Sequence, residues 1–549
     1  MSRELFNQVI GPLNKGVNQQ ATSFVLPGFS KTLENGNCDL VEGLKKRLGT
    51  VPLKQIDTLT KYDGHGTPGN NLTGTIKWDE AWYFVYNRSD TERFVLVIGD
   101  DSKTVTPTGN TTNNSAVIAS VSSMTDIFVG ATVTGSGIPT GATISEIGTN
   151  AITLNKDCTA SASGVTLTIA ASKTFVTGVA NVEPISGILP TVVPIQQIFA
   201  GITTTNLEYL RGSGRARDRF RATSFQDNVF ITNIQKKCEF DSSETLTRYN
   251  IGLVSSSYVP IKAQINVKLI DYATKYECDI ELDNGDTISA NITTATLASG
   301  TAISTQTIAT DLKNAIDTAD SSNHLTFSVQ GSQILVGLAS ASRSFKSFVV
   351  SDARGNTLMS GFSNQVTSIL DLPTTSWEGY SVIVAPDGAA GESSYYLKFN
   401  AENVTASGTY GRGSWEEQGA WGTKGLIDAA TMPHAFLYYK NPDGLTRFTF
   451  QPKNGTTYTD GTHSTVLKKW TERLAGDSEK MEPPSFMDRK ITDIVFFKNR
   501  LGFISGEHVI LSEAGAYYNF WIQSALQVLD TDPIDLTAVS NDVAVLNYA

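Results

Sequence analysis

Apolar positions along this chain come in short runs, rich in β-branched and aromatic residues, set off by Asn-Gly, Asp-Gly and Ser-Gly pairs. That punctuation predicts strands and tight turns rather than long helices. The densest example closes the chain. Ile494 to Phe497 form one β-favouring run, Asn499 and Gly502 interrupt it, Phe503 and Ile504 resume it, and Val509 to Leu511 follow Ser505-Gly506. This reads as a three-stranded antiparallel meander. Phe496, Phe497, Phe503 and Ile504 are expected in its core, with Arg500 and Glu507 as turn or interface groups.

The same pattern recurs upstream. Ala81 to Tyr86 and Arg93 to Ile98 predict a hairpin across Asn87–Asp90, and Ala222 to Ile234 predicts another turning at Asp227-Asn228. Between about 101 and 178 aromatics nearly vanish. Val133, Ile138, Ile144, Ile147, Ile152, Leu154, Val165, Leu167 and Ile169 there supply one apolar face for a small inserted β-sandwich. Pro184, Pro190 and Pro194 then mark a stiff connection. Gln264–Ile270 and Tyr276–Leu282 alternate, with turn chemistry at Asp283–Asp286. Thr307 to Ala319 is the clearest helix, its stripe formed by Ile308, Leu312, Ala315, Ile316 and Ala319. Strands return at Leu325–Val329, Gln333–Val336, Tyr380–Val384 and Ser394–Phe399. The Gly-rich stretch around Trp415 and Trp421 is expected to fold back over another domain. The fold class is therefore mainly β and multidomain, with one α+β module. The expected divisions are residues 1–100, 101–178, 179–254, 255–430 and 431–549.

Composition agrees, with 46 Gly in 549 residues, a length that suggests roughly three or four domains. The net charge of -11, from 54 acidic and 43 basic residues, disfavours tight generic nucleic-acid binding. Cys38, Cys158, Cys238 and Cys278 are far apart and make no CxxC pair, so reduced thiols are expected. No apolar run approaches the ~20 residues that span a bilayer, and Met1–Gln8 lacks the plan of a secretory signal. A soluble protein is expected.

Candidate chemistry is sparse. His65, His324, His434, His463 and His508 show no metal-ligand spacing, and no nucleophile elbow, Walker loop or dinucleotide fingerprint is present. Glu416 and Glu417 beside two tryptophans are the best paired carboxylates, followed by Asp530, Asp532 and Asp535. Neighbours on a strand point to opposite faces, which argues against a shared glycosidase site in the first pair. Asp530-Thr-Asp-Pro suits either a turn or a cation loop. Lys45-Lys-Arg47 reads as a solvated face or a phosphate contact. Arg215, Arg217, Arg219 and Arg221 would share one face of a strand, Arg211 preceding them. They suit a phosphate-contacting stripe, a ring of charge in an oligomer, or pairing with acids such as Asp218 and Glu208 on a subunit surface. No catalytic, cofactor-binding or metal-ligating residue is assigned, no cofactor is expected, and the chain is expected not to be an enzyme.

Several segments, in order, resemble the tail nozzle (tail tubular protein B) family of short-tailed podoviruses. Gly16-Val-Asn-Gln-Gln20 is similar to the family's opening motif, with Asn18 in the place of a Ser. Glu42-Gly-Leu-Lys-Lys-Arg47, Met432-Pro-His-Ala435, Phe496–Glu507, Tyr518-Asn-Phe520 and Asp532-Pro-Ile-Asp535 are similar to its later motifs. The resemblance covers residues 1–100, about 206–250, and 255 onward. It fails over 101–178, which instead resembles the Gly-Ile-Pro-x-Gly β-modules of phage virion proteins.

The resemblance implies propeller-like antiparallel sheets plus an adaptor-facing platform, with 431–549 as the propeller-like region. Family members continue past the position of Ala549, so Val543–Tyr548 is expected to lack sheet partners. It also implies a virion protein made in the host cytoplasm, a homohexameric tube at the tail tip. Its partners would be an adaptor ring of the tail tubular protein A type, tail fibres, the host surface, and double-stranded DNA passing without sequence-specific binding. A weakly negative wall suits such a channel. The alternatives are a virion-associated glycan depolymerase, or a host-surface glycan-binding protein acting through 101–178.

Overall fold

A computed structural model describes residues 75–89, 92–180, 199–241, 248–388, 394–440, 446–461, 463–479 and 481–538, with short stretches at 15, 17, 29, 32–33, 36–39, 43–46, 59, 61–63, 193–194, 246 and 546. The chain divides into two compact units, 1–58 with 182–192, and 59–181 with 193–549. In the first unit the described element is an antiparallel hairpin, Gly36–Asp39 with Gly43–Lys46. Arg47, Pro184, Pro190 and most of the Gly11–Gln20 stretch lie outside the described residues.

The second unit is a set of largely antiparallel sheets. Strands β1 (Trp82–Asn87) and β2 (Arg93–Val105) form the expected hairpin. Strand β2 then runs on, and β3 (Thr168–Ala180) lies along it from Val105↔Ile169 to Phe94↔Ala180. Positions 101 and 178, where the composition changes, thus fall inside strands. The low-aromatic module is carried on the end of one continuous ribbon. It has its own core of Ile118, Val133, Ile144, Ile152, Leu167 and Ile169; Ile147 of the expected face is exposed.

After the ribbon come two short helices, α1 (Thr204–Glu208) and α2 (Ala216–Arg219), and the hairpin β4 (Phe220–Phe225) and β5 (Asn228–Asn233). Its turn is Gln226-Asp227, one residue earlier than expected, with Gln226 at φ +53°. That register puts Phe225 and Phe230 on one face, where their rings stack at 4.8 Å.

The chain then leaves to build a lobe before it returns. Strands β6 (Lys262–Val267), β7 (Lys275–Leu282) and β8 (Thr287–Thr293) precede helix α3 (Thr305–Ala319). Next are β9 (Leu325–Gln330), β10 (Gln333–Leu338), β11 (Phe345–Asp352) and β12 (Met359–Phe362). The two runs read as neighbours, 264–270 and 276–282, join different sheets: β9-β10-β6-β12 and β8-β7-β11. The Asp283–Asp286 turn returns β7 directly into β8 instead. Ser304 caps α3 by accepting from the Thr307 N–H, and Ile308, Ala309, Leu312 and Ile316 face the sheets. Ala319, at the frayed end of the stripe, is exposed. A second core of the lobe surrounds Trp377, Tyr380 and Phe399, built by β13 (Ser381–Val384), β14 (Tyr395–Ala401) and β15 (Tyr410–Glu417). Trp415 packs within this core, with its indole N–H on the Pro373 carbonyl at 2.8 Å, and Trp421 packs edge-on to Tyr396. Only past Glu417 does the Gly-rich stretch reach elsewhere, Ala420 N–H meeting the Gly476 carbonyl at 2.8 Å.

On its return the chain adds β16 (His434–Lys440) and β17 (Thr446–Gln451), giving a sheet in the order β4-β5-β16-β17. Residues 431–451 therefore complete a sheet begun two hundred positions earlier; strand pairing at that separation leaves no local sequence mark. Both faces of this sheet are covered. Val229, Ile231, Phe436 and Phe448 pack on Leu96, Ile98 and Val176 of the ribbon. Phe230, Ala435 and Leu437 pack on Trp470, Phe503 and Phe520.

The closing meander has strands β18 (Asp493–Phe497), β19 (Arg500–Ser505) and β20 (His508–Leu511), as expected, plus β21 (Ile534–Thr537). Lys498 and Asn499 make its first turn with φ of 45° and 60°. Phe503 and Ile504 are buried, whereas Phe496 is partly buried and Phe497 is 54% exposed. The miss follows from period 2: consecutive phenylalanines cannot both face one core. Of Val543–Tyr548 only Leu546 is described; its N–H meets the Gly506 carbonyl at 2.8 Å.

Truncating Phe436, buried in the middle of the two-sided sheet, should cost about 3–5 kcal/mol. Phe436→Ala should lower the denaturation midpoint of the chain accordingly; an unchanged midpoint would count against the sheet as its common core.

Candidate functional site

The polar groups that matter most converge where the ribbon meets the central sheet. Asp100 on β2 and Thr174 on β3 are cross-strand partners, and the Thr174 hydroxyl donates to Asp100 at 2.8 Å. Arg219, buried at the end of α2, donates to the same carboxylate at 2.7 Å. Its other amino group donates to the carbonyls of Gly212 (3.0 Å) and Gly214 (3.3 Å). One guanidinium thus ties both ribbon strands to the 212–214 loop.

That loop is gripped from the other side by the end of β5. Asn233 donates to the carbonyls of Tyr209 (2.8 Å) and Arg211 (3.1 Å), and Gln235 exchanges hydrogen bonds with the Ser213 backbone. Arg211 in turn pairs with Glu208 at 3.0 Å and reaches Asp126 of the inserted module at 3.7 Å. Gly130 of the module, at φ +92°, sits so close to Ser213 that an added Cβ would lie 3.2 Å from it. The module is therefore joined to the body at two places, through the ribbon and through this second contact.

This arrangement corrects the arginine stripe. Residues 216–219 are helical, so the period-2 alternation breaks and the five side chains diverge. Arg215 pairs with Asp218 at 2.7 Å, Arg217 donates to the Asp79 carbonyl at 3.1 Å, and Arg221 donates to the Phe220 carbonyl at 2.8 Å. The pairing with Asp218 and Glu208 is the reading that the geometry supports.

Arg500 is likewise neither a turn nor an interface group. It is buried and donates to the carbonyls of Ser512 and Asp532, both at 2.7 Å, and of Asp530 at 3.2 Å. The Asp530–Asp535 stretch is accordingly a turn that feeds β21. The Asp532 carboxylate accepts from the N–H of Leu529 at 2.7 Å, and Asp535 from that of Ser485 at 2.8 Å. Glu416 accepts from Asn400 (2.5 Å) and Ser414 (3.0 Å), while Glu417 accepts from the Ala525 N–H. The two glutamates lie on opposite faces of β15 with separate structural partners. A cleft of about 500 Å³ beside β21 is lined by Pro483, Pro484, Phe520, Trp521 and Pro533, with Glu482, Ser485, Asp535 and Thr537 as its polar side chains. Among the described residues no cluster of His, Cys, Asp or Glu could hold a metal ion, and no helix is long and apolar enough to cross a membrane.

His434 lies at the heart of the junction. It pairs with Ile231, stacks on Tyr209 at 4.2 Å, and its Nδ1–H donates to the Met432 carbonyl at 2.8 Å. Burial holds its imidazole neutral, pulling its pKa down to about 4. Sequence reasoning missed Asp100 and Asp126 altogether. A carboxylate following Phe94–Ile98 in an otherwise apolar strand was the available signal, since a buried charge requires a partner.

The charged groups at this junction fasten one β-sheet module to another. The chain belongs to the bacteriophage nozzle protein family, whose model it matches over residues 196–549. Over 211 residues it is 30% identical to tail tubular protein gp12 of Escherichia phage T7; the match spans 38% of this chain and 23% of that relative. The protein is a structural component of the phage tail, carried in the virion. The 101–178 segment lies outside the family match.

Two predictions follow from this geometry. Arg219→Met should leave Asp100 buried without its cation and cost about 3–5 kcal/mol, with Asp100→Asn in the same chain restoring part of the loss in denaturant titrations. His434, neutral when folded, charges below its ordinary value of about 6.5 only in the unfolded chain. Its contribution is therefore complete above that pH and is lost as pH falls toward 4, by at most about 3 kcal/mol. The drop in stability between pH 7 and pH 4.5 should be smaller in His434→Phe than in the wild type.

Proposed function

We propose that this chain is the subunit of the distal tail nozzle, six copies closing a tube through which DNA and core proteins leave the virion. The family match carries the reading. It is supported by the pairing of Arg211 with Glu208 and of Arg219 with Asp100 in a chain of net charge -11, which limits phosphate binding along that stretch. In this reading residues 1–100 and 179–254 form the platform that docks on the adaptor ring, and the 431–549 region stacks along the tube. The nozzle holds the genome in until fibres engage the receptor. Opening is then a rigid-body or loop rearrangement biased by contacts that differ between the two states. Nothing in the placement of Glu416 and Glu417 favours a glycan depolymerase.

Electron microscopy of the purified chain and of virions tests this. Sixfold rings, and label at the tail tip, are expected; a chain that is monomeric and absent from tail tips sinks the proposal. Because the module hangs on the Val105↔Ile169 end of the ribbon, replacing residues 107–167 by a tight turn should leave ring formation intact. If the module instead serves adhesion to host glycans, the same deletion abolishes adsorption.

A further inference from the structure

Lys453 is buried where the central sheet meets the region that closes the chain, and only 4% of it is exposed. Its carbonyl accepts the Trp470 N–H at 3.4 Å, so the two residues stand opposite one another with their side chains on the same side. The ammonium lies 5.5 Å from the ring centre of Phe230 and 5.7 Å from that of Tyr518. Trp470 packs edge-on to the same Tyr518 ring at 5.4 Å. Aromatic rings thus wall in the cation.

An ammonium carries three N–H donors. One goes to Asn228 Oδ1 at 3.0 Å, and among the described residues no carboxylate pairs with the charge. The neighbouring charge that acts on it is that of Lys468, which has the same sign. A second donor is in the same condition. The indole Nε1–H of Trp470, a residue 1% exposed, has no acceptor in the protein. Trp415 and Trp521, by contrast, donate theirs to the carbonyls of Pro373 and Thr471 at 2.8 and 2.9 Å. Buried polar groups are ordinarily hydrogen-bonded and buried charges paired. The ring faces offset part of the ammonium's lost hydration and leave its charge uncompensated.

What both donors lack is an acceptor, and what the cation lacks is a negative charge. We propose that Lys453 and Trp470 form a buried anion site, which takes one small monovalent anion such as chloride between the ammonium and the indole N–H. The surroundings set the class of ligand. One lysine balances one charge, so a divalent phosphate or sulfate would bring uncompensated charge into an apolar niche. A lysine buried to this degree is also out of reach of a nucleic-acid backbone. Asn228 and Phe230 belong to β5 and Trp470 and Tyr518 to the closing region, so an anion held there strengthens the packing of one on the other.

Occupancy depends on the charge of Lys453. Burial lowers its pKa to about 8, and Lys468 pushes the same way. Below that pH the folded chain presents an ammonium and binds the anion; above it the amine is neutral and the attraction is lost.

The test compares denaturation midpoints of the full chain in chloride and in gluconate, an anion too large for the niche, at one ionic strength so that screening is constant. At pH 7, exchanging gluconate for about 0.2 M chloride should raise the folded-to-unfolded ratio of the wild type about tenfold. At pH 10 the gain should shrink. Lys453→Met, which nearly keeps the volume and removes the charge, should show no gain at either pH, and Trp470→Phe a smaller one. Crystals grown in bromide should show its anomalous signal against Lys453 Nζ. Equal chloride effects in the wild type and Lys453→Met overturn the proposal, as does bromide found only at surface lysines. A full effect in Trp470→Phe overturns the two-donor site.

Discussion

The ribbon and the meander of the second unit both depend on a sheet that must be apolar on both faces. Strands β5 and β16 pair from Asn228↔Leu437 to Ile231↔His434, and each is buried along nearly its whole length. Two-sided burial removes the freedom that a surface strand has: a register slip of one residue would exchange Phe230 for Val229 against the meander and Phe436 for Leu437 against the ribbon. It also dictates the chemistry of the one imidazole in the run. His434 is tolerated because it is neutral, stacked and bonded through Nδ1. The ribbon on one side and the meander on the other are fixed by the same four strands, so their two cores share one sheet.

Arginine does the fastening around that core, mostly through carbonyl oxygens. Arg219, Arg473 and Arg500 are each buried and each donate to two or more backbone carbonyls of loops that carry no regular ladder. A planar guanidinium with five donors can serve several acceptors at once, which a lysine cannot. Loop carbonyls beside glycine-rich turns would otherwise be buried without partners, at a cost of about 1–3 kcal/mol each. Arg473 adds a ring contact, lying 4.5 Å over Trp521.

The legible part of this fold was whatever is local. Turn pairs and period-2 runs placed the hairpins at 82–98 and 220–233, the helix at 305–319 and the meander at 493–511. What the sequence concealed is long-range. No residue near 433 announces that β16 will lie against β5, and none near 105 that β2 runs on into the module. The arginines illustrate the same limit at the level of a site. Alternation at 215, 217, 219 and 221 suggests a strand, but residues 216–219 form a short helix with Asp218 in its first turn, which turns the four side chains apart. Phe497 was misplaced for a simpler reason, since adjacent aromatics in a strand must part company.

If the chain lines a passage for DNA, as proposed, the placement of its arginines matters to that wall. Each phosphate neutralised by a protein cation releases counterions, so a lining of free arginines would bind DNA tightly and with a steep dependence on salt. Along 211–221 the cations are instead matched with carboxylates or turned onto carbonyls. The same contacts hold the loop against the ribbon and pair Arg211, Arg215 and Arg219 with carboxylates. In a conduit, attachment of the loop and low adhesion are then consequences of one set of interactions, and loosening an arginine from its carboxylate would degrade both together.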